Sequence, residues 1–154
     1  MVASSPLSFA RGSVPTDFLI LLLAADQPMS WHDLPSVSSS KQSDEPQLWH
    51  TIDTTKATAA TLTCTWHDQG YGNRKGMVFA RKAGGQWVAL STSIAPHDPA
   101  RLSVAIPTKE LGGKLEFAYR VGGGGGHSLS IESAAVKVDG EGRGGALSVG
   151  EIIP

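Results

Sequence analysis

A chain of 154 residues and 16.1 kDa is the size of one ordinary domain, long enough to bury a single core. With 40% hydrophobic and 18% charged residues, 18 Gly and 9 Pro, it is too rich in turn formers for a coiled coil or a helical bundle. Thirteen basic against fourteen acidic side chains give a charge of -1, so no global field favours nucleic acid or anionic membranes, and the one cysteine excludes an internal disulfide and CxxC-type metal modules.

Residues 1–16 are small and polar without periodicity, and the apolar run FLILLLAA at 18–25 follows directly. A spanning helix needs about 20 apolar residues, so this run does not cross a bilayer. Two readings stay open: a signal h-region, which Arg11 and the Leu23-Ala24-Ala25 end match in part, and a buried strand or short helix capped by Thr16 or Asp17. The abutting Asp17 favours the second, and with it an intracellular location over a secreted one. Residues 36–46 (SVSSSKQSDEP) have little to bury and read as an exposed linker. The expected organisation is therefore an N-terminal arm and linker over 1–46 and a β-domain with a Gly-rich tail over 47–154.

From Gln47 onward the apolar pattern has period two. Leu62, Cys64 and Trp66 alternate with Thr61, Thr63 and Thr65, and Leu115, Phe117, Tyr119 and Val121 alternate with Lys114, Glu116 and Arg120. Leu102, Val104 and Ile106 repeat it before Pro107, and 47–52, 77–82, 86–91 and 127–138 complete the set. Ala83-Gly84-Gly85 predicts a hairpin between 77–82 and 86–91. In the last strand Leu129 and Ile131 are odd but Val136 and Val138 are even, which predicts a bulge at 133–135. About seven or eight strands with regular turns, and no helix long enough for a βαβ crossover, predict an all-β fold: an antiparallel β-sandwich of jelly-roll type.

Two segments carry the candidate chemistry. HDQGYGNRKG at 67–76 follows the best strand and crowds Asp68, Gln69, Asn73, Arg74 and Lys75 around Tyr71. Its glycines and Asn73 permit positive φ, so it reads as a shaped loop able to bond a sugar, a peptide or an anion, or else one that satisfies its own backbone. VGGGGGHSL at 121–129 places five glycines between two strands. The entropy they lose on folding asks for an offset, such as close approach to a ligand or a neighbouring loop. No Gly-Lys-Ser/Thr follows, so it is not a Walker phosphate loop. His127 shares parity with Leu129 and Ile131, which points its ring inward.

Together these segments resemble an uncharacterised module of eukaryotic, notably fungal, proteins, marked by a D-Q-G-[WY]-G-N-x-K-G loop and a Gly-rich G-G-H hairpin. The resemblance covers 47–138 and implies one coherent β-rich domain, with no settled activity and no catalytic residue.

The histidines, His32, His50, His67, His97 and His127, fall into no HExxH, His-x-His or zinc spacing, and no calcium-loop run of oxygen ligands is present, so no metal or cofactor is expected. Cys64 lies on an apolar strand face as inert packing. The expectation is a non-enzymatic recognition or assembly module for a protein partner or a glycan-like ligand. Its contact surface comprises Asp68, Gln69, Tyr71, Asn73, Arg74, Lys75, Gly124, Gly125 and His127, with both segments on one rim. Two alternatives stand beside it. One is a small subunit of a larger complex, docked through 18–25 and open to oligomerisation; the other is a hydrolase using His67 or His127 with Asp68 or Asp98.

Overall fold

The computed structural model describes residues 28–91 and 94–140. The apolar run at 18–25 and the tail beyond 140, with the expectations attached to them, lie outside the described residues. Within them the chain forms nine strands: β1 (Met29–Asp33), β2 (Val37–Ser39), β3 (Gln47–Asp53), β4 (Ala59–Asp68), β5 (Met77–Lys82), β6 (Val88–Ala89), β7 (Ala100–Ala105), β8 (Lys114–Arg120) and β9 (Leu129–Asp139). One 3₁₀ turn, Thr108–Glu110, precedes β8. The fold is an antiparallel β-sandwich. Its first sheet runs β1-β9-β4-β7, with β2 also on β9, and its second runs β3-β8-β5-β6.

Alternation builds the core. Leu62, Cys64 and Trp66 of β4 with Leu129, Ile131, Val136 and Val138 of β9 face Ile52, Val78, Ala80, Leu115 and Phe117 of the second sheet. The Thr61, Thr63 and Thr65 face stays half-exposed, as the two-residue period requires. Each large side chain sealed in this layer stabilises the fold by roughly 1.5–3 kcal/mol.

The change of parity in β9 has a definite geometry. Thr63 pairs with Ala135 and Thr65 with Glu132, so Cys64 opposes both Ser133 and Ala134. Ser133 takes φ 52°, a left-handed value of the kind that G1-type bulges use. The extra residue turns Ala134, Val136 and Val138 inward after Leu129 and Ile131.

Three expectations need correction. Residues 36–46 are no free linker: Val37 is buried, β2 pairs with β9, and Ser43 forms an isolated bridge with Gly122. Among the described residues the sandwich consequently begins at Met29 instead of Gln47, which adds two strands to those expected from Gln47 onward. β1 and β2 keep one continuous register along β9 and are separated where Pro35 lacks the N–H a ladder needs. The signal was hidden because an edge strand buries few side chains, and serine can pair through its backbone as well as valine can. The predicted strand over 86–91 shrinks to Val88–Ala89, although its hairpin with β5 forms. The glycine segment is also not a hairpin, since it carries the chain from β8 in the second sheet to β9 in the first.

Two outcomes follow from this packing. Ser133→Gly relieves the left-handed strain and is neutral or stabilising by up to about 1 kcal/mol, whereas Ser133→Val destabilises by about 1–2 kcal/mol; urea unfolding measures both. Burial pushes the Cys64 thiol from an ordinary 9.0 up to about 11, against a small opposing pull from Arg101. The unfolded thiol ionises first as pH rises, so this residue's contribution to stability falls between those two values. Denaturation midpoints should decline less steeply over that window in Cys64→Ala than in the parent chain.

Candidate functional site

The two unusual loops meet because of strand pairing. β4 and β9 run antiparallel with Asp68 opposite Leu129, and β5 and β8 run antiparallel with Met77 opposite Arg120. The segment 69–76 therefore leaves the first sheet beside the point where 121–128 enters it. Both segments cross between the sheets at the same end of the sandwich.

The contact is close. A Cβ on Gly122 would lie 2.5 Å from Lys75 Cβ, and Gly122 adopts φ 109°, so both space and backbone demand glycine there. Lys75 Nζ donates to Gly123 O at 2.8 Å, and Arg120 Nε donates to Lys75 O at 3.1 Å. Gln69 ties its own loop by donating from Nε2 to Tyr71 O and Asn73 O, each at 2.7 Å, and its Oε1 accepts from Ser128 N at 3.1 Å.

A third segment props the glycine run from the other side. Gln42 Oε1 accepts from Gly125 N and His127 N, each at 3.1 Å, while Gln42 Nε2 donates to His127 O at 2.6 Å. Asp44 Oδ1 accepts from Gly123 N at 2.8 Å. That amide bond is the main influence holding the Asp44 carboxyl below the usual carboxylate range, with lesser help from Lys75, Arg120 and His127 and some opposition from desolvation. Gln42 and Asp44 were not legible as site residues, because in sequence they belong to a polar stretch with no periodicity.

The predicted residues divide into three groups. Gln69, Tyr71, Asn73, Lys75, Gly124, Gly125 and His127, joined by Gly72, Gly123 and Gly126, line one cleft of about 320 Å³. Tyr71 is 68% exposed, whereas His127 is 8% exposed. Arg74 is turned away and lines a separate groove of about 250 Å³ with Trp66, Pro96 and Arg101 among its walls.

Asp68 is the third case: its side chain is buried and shapes the loop from within. Its Oδ1 accepts from His97 Nδ1 and from Gly70 N, both at 2.8 Å, and its own N–H donates to Pro96 O. Asp68 therefore anchors the 69–76 loop to the segment around His97, a partner that sequence spacing did not single out.

The carboxylate of Asp68 orients His97, and it orients neither His67 nor His127. His67 Nδ1 donates to the Asp68 backbone carbonyl at 2.7 Å, and the ring lines a serine-rich groove of about 290 Å³ with Ser38, Ser128 and Ser130. Among the described residues, two buried polar side-chain atoms have no hydrogen-bond partner, Asp68 Oδ2 and His127 Nδ1, and both lie at this end of the sandwich.

The rim's supports can be probed directly. Gln42→Ala frees the Gly125 and His127 amides, whose hydrogen exchange should accelerate while that of the β4 and β9 ladder stays slow. Asp68→Ala removes the loop anchor and strands its donors, destabilising the chain by about 1–3 kcal/mol in urea unfolding.

No family model matches the chain, and no curated protein matches it. Among solved structures it is similar to that of the Gx strain of infectious bursal disease virus, with a TM-score of 0.46 and 16% identity over 75% of this chain and 32% of that one. The Gt strain structure gives 0.42 and 11%, covering 77% and 34%, and a VP2 subviral particle of the same virus gives 0.42 and 15%, covering 77% and 33%. The chain spans about a third of those chains, and the likeness is one of strand architecture alone.

Proposed function

We propose that this chain is a non-enzymatic recognition or assembly module that holds a partner, a protein segment or a glycan-like ligand, in the cleft between 69–75 and 123–127. The observation that carries this reading is the shared cleft itself, with an exposed Tyr71 ring on its wall. A folded chain gains little by leaving a large aromatic ring in water beside a concavity; a partner stacked on that ring would bury it and gain directional bonds from Asn73 and the backbone at Gly124 and Gly126. The strands fix both loop ends, so the partner meets a surface already in shape and less ordering entropy is lost on binding.

A second reading, a small structural subunit of a larger complex, is favoured by a different feature. Met29 and Trp31, 46% and 54% exposed, stand on the outward face of edge strand β1, which three residues separate in sequence from the apolar stretch at 18–25. An edge strand bearing exposed apolar side chains suits pairing with another sheet.

The test uses a photo-crosslinking residue placed next to Tyr71 in the full chain. Tyr71→Ala should keep the parent unfolding midpoint within about 0.5 kcal/mol, because the ring is exposed, and should lose partner capture at least about tenfold. Leu48→Ala, 61% exposed on strand β3, serves as the control and should leave capture unchanged. Undiminished capture by Tyr71→Ala would overturn the cleft reading.

A further inference from the structure

We infer that the cleft takes a carboxylate carried by an extended acidic peptide of the partner, with His127 and Lys75 as its recognition groups. This inference rests on the recognition reading above and names the chemistry that reading would use.

The first ground is His127. The residue is among those lining the cleft and is more than nine-tenths buried, yet its Nδ1 meets no partner. Gln42 clamps the residue's backbone from both N–H and C=O, which fixes the main chain and leaves the side-chain torsions to set where the ring points. A buried polar nitrogen without a partner is unfavourable, and it gains when a ligand brings an acceptor to its N–H. Nδ1 is sealed from bulk water, so turning of the ring about its side-chain bonds must bring it to the ligand.

The second ground is charge. The wall carries the Lys75 ammonium and no carboxylate. An ammonium has three donors, and the bond from Lys75 Nζ to Gly123 O uses one of them. Arg120 adds a positive charge on the adjoining strand through its bond to Lys75 O. Asp44 is the opposing charge at this rim; it stands off the cleft wall, with Oδ1 accepting the Gly123 amide.

The third ground favours a peptide over an acidic sugar. The glycine loop already binds an acidic segment of its own chain: Ser43 and Gly122 exchange both backbone bonds, at 3.1 and 2.8 Å, while the Asp44 carboxylate takes the next amide. Gly125 and His127 donate to Gln42, so Gly124 and Gly126 are the amides of this run left to a second acidic segment.

The experiment titrates isotope-labelled full chain with a short poly-glutamate peptide, with its poly-glutamine counterpart and with an oligogalacturonate. Poly-glutamate should saturably shift the His127 imidazole resonances and the Gly124–Gly126 amides, while poly-glutamine does not. Lys75→Gln and His127→Gln should each weaken poly-glutamate binding by about tenfold or more, the scale of one charge-assisted bond. The imidazole readout on the parent chain keeps the test decisive even where a His127 substitution harms folding. An unshifted His127, or an oligogalacturonate that binds in place of the peptide, overturns the inference. If poly-glutamate fails while capture next to Tyr71 persists, only the carboxylate chemistry falls. Capture that survives Tyr71→Ala removes the recognition reading itself.

Discussion

Two antiparallel seams, β4 against β9 and β5 against β8, determine everything that is unusual about the rim. Each seam brings one end of the 69–76 loop beside one end of the 121–128 loop. Since the seams lie in opposite sheets, both loops must cross the same gap at the same end. Their adjacency is therefore a consequence of register, and register is set by the inward sets Leu62, Cys64, Trp66 and Leu115, Phe117, which a one-residue slip would turn to solvent.

The glycine run illustrates how local cost and tertiary contact are balanced. Each glycine loses about 0.5–1 kcal/mol more on ordering than alanine would. The segment around Gln42 supplies the offset: it returns along β9 as β2, reaches the glycine loop and meets its amides with an amide oxygen, a carboxylate and a backbone bridge. Part of the demand that five glycines make for a partner is thus met inside the chain. What remains on the other side is a cleft lined by residues that include Lys75, His127 with its unpartnered ring nitrogen and an exposed Tyr71.

Within that rim, structural and exposed roles are divided, with Lys75 and Gln69 serving in both. Asp68, Gln69 and Gln42 spend their hydrogen bonds on shaping the loops, whereas Tyr71 and Asn73 face outward. The recognition proposal rests on this division, because a surface that contacts partners needs groups that the fold itself does not consume.

The amino-acid sequence by itself determined the β-class, the inward faces of β4 and β8, and the bulge in β9. Each is written in a two-residue period or in a break of that period, and side-chain alternation is a local property. It also marked the two loops, since a cluster of glycines with polar residues and one tyrosine is unusual without any structure. Only the tertiary structure decided that residues 29–46 belong to the sandwich, that Asp68 pairs with His97, that Arg74 turns away and that Gln42 braces the glycine loop. Those outcomes depend on backbone pairing at an edge and on contacts between residues far apart in the chain, and neither leaves a periodic signature in the order of the amino acids.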